Sequence, residues 1–356
     1  MKNKLNILIA TDAWEPQTNG VVTTLKNLGL SLKEKKHKVS LLTPKEFITI
    51  PCPTYPEIRL SINVFQKYLK KKFHQINPDV IHIATEGPIG FAVRRYCIKN
   101  KILFTTSYHT KFPEYIFERF KLKIILKLSK KFMAYFHSKS YRVFVTTETM
   151  KKDLANKGFK KNKMVVWTRG VNRNIFNNKG NIKKLNYKKP IWIYVGRIAV
   201  EKNIEKFLEL KLPGTKLLIG DGPQLKTLKE KYREAKFLGN KNHYQVAEYL
   251  GQSDVFVFPS LTDTFGVVLI EALSMGVPIA AYPVPGPIDI IKDKKIFTLN
   301  KDLLTSCKRA QNIKKIDCIN AVRSYTWENC ASIFLKNIYV CLLYTSPSPR
   351  DRQKWG

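Results

Sequence analysis

The feature that most constrains the fold of this chain is a regular alternation of short apolar runs with longer stretches of helical periodicity. Within those stretches, apolar residues recur every three or four positions, as at Val21, Leu25, Leu28 and Leu32. Short uninterrupted apolar runs are typical of strands buried on both faces, so the alternation predicts parallel sheets covered by helices. The predicted strands are Leu5–Thr11, Val39–Leu42, Asp79–Ile83, Phe104–Ser107, Tyr141–Thr146, Ile191–Val195, Leu217–Ile219, Asp254–Pro259 and Pro278–Ala281.

A break in this alternation divides the chain. The pattern stops after Phe176 and restarts at Ile191, across a polar, lysine-rich stretch at 181–190 that is typical of a linker. The length of 356 residues also suits two domains of about 150 residues each. We therefore expect an α/β protein in which two doubly wound domains face each other across a deep cleft. The expected parts are an N-terminal domain at 1–172, a second domain at 173–322 and a C-terminal helix at 323–340 that packs back toward the N-terminal domain.

The two ends of the chain bear on its location. Residues 341–356 resemble the translation of a sequencing-library adaptor, and we leave them out of the fold prediction. The segment Met1–Ala10 is basic and then apolar, but Thr11 and Asp12 end the apolar part too early for a signal peptide. No run of about 18 uncharged apolar residues predicts a membrane-spanning helix, and no cysteine pair has zinc-site spacing. These features favour a cytoplasmic protein.

The net charge is unusually positive. Lys and Arg number 63 against 27 Asp and Glu, which gives a formal charge of +36. An AT-rich genome explains such lysine usage without any function. The alternative is attraction to an anionic partner, either nucleic acid or an acidic membrane leaflet. No helix-turn-helix, RNA-recognition or zinc-finger pattern supports a nucleic-acid-binding protein, and the first loop lacks the GxGxxG of a dinucleotide-binding oxidoreductase.

Two loops in the second half carry residues suited to a phosphorylated sugar. Gly196 and the cations Arg197 and Lys202 follow the strand Ile191–Val195, as a diphosphate site requires, although a solvated basic turn would look the same. Asp263 and Glu271 follow the strand Asp254–Pro259 eight residues apart. Carboxylates there could hold sugar or ribose hydroxyls, or could be a helix cap and a surface side chain.

The order and spacing of these motifs are specific in combination. Over residues 5–340 the chain resembles the retaining GT-B glycosyltransferases of family four, in which two Rossmann-like domains face a deep interdomain cleft. The segments Ile83–Pro88 and Thr106–Tyr115 are similar to a branch of bacterial glycolipid synthases and GDP-mannose-dependent alpha-mannosyltransferases. The second-half motifs that carry the resemblance are Gly196-Arg197, Glu201-Lys202-Asn203, Gly220-Asp221-Gly222-Pro223, Phe237-Leu238-Gly239 and Asp263-x7-Glu271-Ala272-Leu273.

The resemblance implies a role for each matching residue. Arg197 and Lys202 bind the donor diphosphate, Glu271 holds the ribose, and Asp263 holds the sugar in place of the Glu found in much of the family. His109 matches the histidine that meets donor sugar and acceptor. The implied catalytic set is His109, Arg197, Lys202 and Asp263. The implied donor-binding set is Asn19, Gly20, Gly196, Arg197, Lys202, Leu238, Asp263, Phe265, Gly266 and Glu271.

The reaction that the resemblance implies is transfer of a hexose, with retention, from a nucleotide sugar to a membrane lipid such as diacylglycerol. The donor is UDP-hexose or GDP-mannose, with glucose, glucuronate and mannose as open alternatives. A GDP-mannose-dependent enzyme acting on another lipid or a polysaccharide precursor is the second interpretation. We expect no cofactor and no metal, since no DxD-type carboxylate pair lies in a suitable setting, and Arg197 and Lys202 would stabilise the leaving diphosphate instead.

Two basic segments of the N-terminal half are candidates for a lipid surface. Lys67–Lys72 is lysine-rich, and residues 115–137 interleave aromatic, aliphatic and lysine side chains. Such segments suit the membrane interface, although a core-facing helix with a solvated lysine face has the same pattern. The expected partners are therefore a nucleotide sugar and a lipid acceptor, with no nucleic acid, at the inner face of the cell membrane.

Overall fold

The computed structural model describes residues 4–17, 19–52, 55–114, 117, 122–177 and 186–345. The first half of the predicted linker, several residues of the 115–137 segment and the end of the tail after 345 lie outside the described residues. The described chain divides into two compact units. The first unit contains Met1–His109, Lys127–Thr168 and Trp327–Gly356, and the second contains Thr110–Leu126 and Arg169–Thr326.

Strands and helices alternate along both units. The strands are β1 (Asn6–Ala10), β2 (Lys38–Leu42), β3 (Thr49–Cys52), β4 (Tyr55–Ser61), β5 (Val80–Ile83), β6 (Thr105–Tyr108), β7 (Val143–Val145), β8 (Met164–Val166), β9 (Ile191–Val195), β10 (Thr215–Ile219), β11 (Lys236–Phe237), β12 (Val255–Phe258) and β13 (Ile279–Ala281). The helices named here are α1 (Gly20–Glu34), α2 (Gln66–Ile76), α3 (Pro88–Lys99), α4 (Lys123–Ser138), α5 (Glu148–Asn156), α6 (Ile204–Leu208), α7 (Leu225–Lys231), α8 (His243–Gln252), α9 (Val267–Ser274), α10 (Pro287–Ile290), α11 (Leu303–Ala310), α12 (Lys315–Ala321) and α13 (Trp327–Thr345).

Each unit has one main parallel sheet, which confirms the prediction of two doubly wound α/β units. The first sheet has the order β2-β1-β5-β6-β7-β8, and the second has the order β11-β10-β9-β12-β13. The strand order reverses between β1 and β5 in the first sheet and between β9 and β12 in the second. Open α/β sheets bind ligands beyond the carboxyl ends of the strands at such switch points. Ligand-binding residues are therefore expected in the loops after these four strands.

Glycine permits close packing of the loops at the carboxyl edge of the second sheet. The Gly220 amide donates to the carbonyl of Gly239 at 2.9 Å, and a Cβ on Gly220 would lie 1.9 Å from the carbonyl oxygen of Gly196. Gly220 also has φ of +135°, a conformation that residues with side chains rarely adopt. The loops after β9, β10 and β11 are thus held together by backbone contacts that any side chain would disrupt.

The last helix belongs to the first unit. Its side chains Ala331, Phe334 and Ile338 are fully buried in a cluster with β1 and α1, and the Trp167 indole Nε1 donates to the carbonyl of Cys330 at 3.0 Å. These apolar residues recur at the three- and four-residue spacing of one helix face. In the described part of the chain, no helix is long and apolar enough to cross a bilayer.

The structure also contains elements that the sequence did not predict. The strands β3 and β4 form an antiparallel hairpin outside the main sheet, although Pro51 lies within β3. Proline is tolerated in such edge strands because no central ladder bond depends on its missing N–H. The short strands β8 and β11 extend the two parallel sheets at their edges.

Candidate active site

The switch point of the second unit is bridged by an ion pair. Lys202 lies in a short 3-10 turn after β9, and Asp263 lies in the loop after β12. The Lys202 Nζ is 2.7 Å from the Asp263 Oδ2, and both side chains are largely buried. The other carboxylate oxygen accepts the Thr264 amide at 2.8 Å. Because the pair joins the loops that flank the strand reversal, it places a cation and a carboxylate where ligands of such sheets bind.

Further bonds hold these two loops in place. The Asn203 amide side chain donates to the carbonyl of Pro259 at 3.1 Å, and Asn203 adopts a left-handed φ of 52° between the turn and α6. The buried Tyr194 hydroxyl donates to the carbonyl of Arg197 at 2.8 Å. The backbone that carries Arg197 and Lys202 is therefore fixed from the core side, as a preorganised binding loop requires.

Arg197 supplies a second cation from the same loop. Its Nη1 lies 3.7 Å from the Glu201 carboxylate, one helical turn along the chain. About a third of its side chain is exposed, whereas the Glu201 side chain is nearly buried. The sequence predicted that Arg197 and Lys202 act together, and the structure places both in the loop after β9.

The helix α9 contributes a partly buried carboxyl group. Glu271 lies in the second turn of α9, and burial raises its pKa from 4.5 to about 7. Among the described residues, none forms a hydrogen bond with this carboxylate. Gly266 precedes α9 with φ of 80°, and Phe265 is buried beside it. An acidic side chain held in a low dielectric without a partner is an indicator of a functional site.

The remaining residue predicted for the donor in this unit is Leu238. It follows β11, its amide donates to the carbonyl of Leu218 at 2.9 Å, and its side chain packs against the core of the sheet. Leu238 thus lies at the same carboxyl edge as Gly196. The described residues contain no group of three or more His, Cys, Asp or Glu side chains arranged to share a metal ion.

The three predicted residues of the first unit lie after β1 and β6. Asn19 is the N-cap of α1, where its Oδ1 accepts the amides of Val21 and Val22 at 3.0 Å, and Gly20 is the first residue of that helix. His109 directly follows β6, is 6% exposed and packs against the Trp167 ring. All three therefore lie toward the carboxyl edge of the first sheet.

Sequence reasoning missed a buried carboxyl group at the first switch point. Asp12 follows β1, and its Oδ1 accepts the Ile89 amide at 2.8 Å at the start of α3. Its Oδ2 accepts the Gly90 amide at 3.2 Å and the Thr85 hydroxyl at 2.9 Å. Burial raises the pKa of Asp12 to about 6, against these hydrogen bonds, which lower it. The sequence shows Asp12 in a loop, but not the helix start, more than seventy residues away, that it caps.

Comparison with known protein families identifies the family of the chain. Residues 18–174 match the family model described as Glycosyltransferase Family 4, and residues 176–316 match the model described as Glycosyl transferases group 1. The chain belongs to the glycosyltransferases that pair these two domains. The boundary between the two matches, at residues 174–176, lies shortly after Arg169, where the longer segment of the second unit begins.

Three curated relatives illustrate what this glycosyltransferase is similar to. A sulfoquinovosyl transferase of Arabidopsis thaliana is 28% identical over 77% of the chain, which spans 59% of that protein. An alpha-monoglucosyldiacylglycerol synthase of Streptococcus pneumoniae is 26% identical over 83% of the chain and 75% of that protein. A GDP-mannose-dependent alpha-mannosyltransferase of Corynebacterium glutamicum is 25% identical over 81% of the chain and 75% of that protein.

Solved structures confirm the GT-B fold of the glycosyltransferase. Sucrose-phosphate synthase of Thermosynechococcus elongatus matches with a TM-score of 0.72 over 96% of this chain and 99% of that chain, at 18% identity. The Anabaena protein HepE, solved in complex with UDP and glucose, matches with a TM-score of 0.60 over 96% of this chain and 97% of that chain, at 14% identity.

Proposed function

We propose that this glycosyltransferase moves a hexose, with retention of configuration, from UDP-hexose or GDP-mannose to the hydroxyl of a membrane lipid such as diacylglycerol. The donor site is the switch point of the second unit. The observation that carries this proposal is the Lys202–Asp263 pair, because it sets a cation for the diphosphate beside a carboxylate for the sugar. The solved complex of HepE with UDP and glucose supports this class of donor.

The lysine brings a positive charge to the position that we propose for the diphosphate. Its ammonium group forms charge-assisted hydrogen bonds with oxyanions, as it does with the Asp263 carboxylate. The Asp263 carboxylate in turn has about four lone-pair sites, of which Lys202 and the amides of Thr264 and Phe265 take three. A sugar hydroxyl takes the one that remains. As the anomeric bond breaks, charge grows on the diphosphate, and Arg197 and Lys202 stabilise it without a metal ion.

The Glu271 carboxylate holds the ribose in this proposal, and that role has a pH signature. Hydroxyls donate to the ionised form, but the ligand-free group is protonated below its raised pKa of about 7. Binding therefore releases a proton, and affinity for UDP-glucose or GDP-mannose should rise roughly tenfold between about pH 6 and pH 8. Calorimetric titration across this range measures the effect. The slope should vanish in Glu271→Gln, and a slope that persists in this variant would assign the titration to another group.

The lipid acceptor is supported by an exposed apolar stripe on α4. Ile124, Leu128, Phe132 and Tyr135 follow the spacing of one helix face, and each is exposed, Leu128 by 59%. The adjacent lysines, which are also exposed, are Lys123, Lys127, Lys130 and Lys131. An apolar face beside a basic face matches the interface of an anionic bilayer, where the high positive charge of the chain also favours binding. The diacylglycerol acceptor named for the pneumococcal relative agrees with this surface.

If the apolar stripe of α4 contacts the bilayer, its removal should weaken membrane binding. Replacing Leu128 and Phe132 by Ser should lower partitioning onto vesicles that contain phosphatidylglycerol by at least roughly tenfold per side chain, because burial of each apolar group contributes about 1.5–3 kcal/mol. Vesicle sedimentation measures the bound fraction. The matched control is Ile316→Ser, which changes an equally exposed side chain of the second unit. Equal vesicle binding by both variants would show that α4 does not contact the membrane.

A transfer assay tests the function itself. The chain is mixed with phosphatidylglycerol vesicles containing dioleoylglycerol, and labelled UDP-glucose, UDP-glucuronate or GDP-mannose is added in turn. We expect one donor to yield labelled glycolipid. The second candidate, a mannosyltransferase of another lipid or of a polysaccharide precursor, is favoured by the Corynebacterium relative and predicts GDP-mannose turnover without labelled dioleoylglycerol. Turnover of no donor would contradict both.

A further inference from the structure

The switch point of the first unit carries two carboxylates with different surroundings. Asp12 follows β1, and three donors from Thr85, Ile89 and Gly90 engage its oxygens, so it links the β1 loop to the start of α3. Glu86 lies in the loop after β5, the neighbouring strand in the sheet. Asp12 therefore serves to hold these two segments together. The contacts of Glu86 are different and indicate its role.

Glu86 is held by one buried histidine. The His137 Nε2 lies 3.2 Å from the Glu86 Oε1, and its Nδ1 lies 2.8 Å from the Thr106 Oγ1. The His137 side chain is 1% exposed and the Glu86 side chain 14% exposed. Both ring nitrogens of His137 are thus engaged, one with the Glu86 carboxylate and the other with the Thr106 hydroxyl. One carboxylate oxygen is therefore fixed, and no described residue forms a hydrogen bond with the other, Oε2.

The histidine itself is rigidly placed. Its ring packs between Tyr108 and Phe159, with ring centroids at 5.7 and 5.8 Å. The buried Arg94 donates to the carbonyls of Phe136 and Tyr135 at 2.7 and 2.8 Å, which fixes the C-terminal turn of α4 that carries His137. A carboxylate supported by such a shell, at the position where α/β sheets bind ligands, is arranged as a binding group rather than as a solvated surface charge.

From this geometry we infer that Glu86 binds a hydroxyl of the acceptor and that His137 is its positioning residue. The inference rests on the proposed function, which places the lipid surface on α4, the helix that also carries His137. A carboxylate accepts the hydrogen of an alcohol and repels a phosphate or a carboxylate, so the group of a diacylglycerol-type acceptor that fits here is its free glycerol hydroxyl. His109 follows β6, the next strand, so both side chains lie toward one edge of the sheet. The helix α4 carries both the apolar stripe and His137, the histidine that orients the Glu86 carboxylate.

The test separates acceptor binding from donor chemistry. Glu86→Gln is assayed with dioleoylglycerol in phosphatidylglycerol vesicles, and hydrolysis of the nucleotide sugar is measured without acceptor. We expect kcat/KM for dioleoylglycerol to fall roughly ten- to a hundredfold, because a hydrogen bond to a charged group is lost, mainly through a higher KM. Donor affinity and hydrolysis should stay unchanged. Glu148→Gln, an exposed glutamate of the same unit, is the matched control and should transfer normally.

A second variant tests the positioning role. His137→Phe keeps the ring volume among the aromatic neighbours but removes the donor to Glu86, so it should raise the same KM, whereas His137→Gln, which retains an N–H donor, should recover part of it. Undiminished transfer by Glu86→Gln, or a fall in donor hydrolysis equal to the fall in transfer, would overturn the inference while leaving the proposed function intact. Absence of donor hydrolysis and transfer in the unaltered protein would instead contradict the proposed function.

Discussion

Replacing Lys202 by Ala should lower kcat/KM for the nucleotide sugar by roughly a thousandfold. The loss of a single preorganised donor to a developing oxyanion has effects of this size in other enzymes. Here the lost group is a full charge in a partly buried site, where it carries more weight than in water. Arg197→Ala should have an effect of the same order, since the proposal assigns both cations to the same leaving group. Steady-state kinetics with the donor identified in the transfer assay measure both variants.

The matched control for Lys202 is Lys206. It lies four residues along the chain in α6, where it is exposed and pairs with Glu209. Lys206→Ala therefore removes a cation from the same unit without touching the switch point and should keep full activity. Thermal melting of each variant separates a loss of activity from a loss of fold. Full activity of folded Lys202→Ala would exclude the diphosphate role.

Replacing His109 by Ala should lower turnover by roughly a hundredfold while changing nucleotide affinity little. A histidine that touches the sugar and the acceptor stabilises the transition state more than the bound donor, so its loss appears in kcat rather than in KM for the donor. His109 is buried at the end of β6 and packs against Trp167, so its position is well defined. Single-turnover measurements together with calorimetric titration of the nucleotide separate the two quantities.

Two further variants make the His109 result interpretable. His109→Asn keeps a polar group beside Trp167 and leaves a smaller cavity than His109→Ala does. It therefore separates the loss of the imidazole from the effect of a cavity. His74→Ala changes an exposed histidine of the same unit and should be neutral. An equal loss of turnover and nucleotide affinity in His109→Ala would show that the residue only binds the donor.

The sequence predicts most of the strands that form the site because they are buried on both faces. β9 and β12 appear as continuous apolar runs, and the polar residues that follow them stand out against that background. The loop residues Arg197, Lys202 and Asp263 could therefore be named in advance. The hairpin of β3 and β4 forms a separate two-stranded sheet and could not be predicted, because its prolines interrupt the apolar alternation.

Side-chain partnerships distant in sequence escape this kind of prediction. The Lys202–Asp263 pair joins residues 61 positions apart, and the contact of His137 with Glu86 joins residues 51 apart. His37 illustrates the same limit. Its lysine neighbours predict a surface position, yet it is 7% exposed and its Nδ1 accepts the amide of Leu5. The residues around a side chain in sequence do not reveal which buried backbone N–H of a distant segment it will accept.

The most direct test of the central claim, that the second unit holds a nucleotide sugar, is thermal melting of the chain with UDP, GDP, UDP-glucose, UDP-glucuronate and GDP-mannose. A ligand that binds only the folded protein stabilises it by mass action, by about 2.7 kcal/mol at about 100 times its Kd. We predict that one nucleotide series raises Tm and that the rise is abolished in Lys202→Ala but retained in Lys206→Ala. A Tm unchanged by every nucleotide, or an equal rise in Lys202→Ala, would contradict the account.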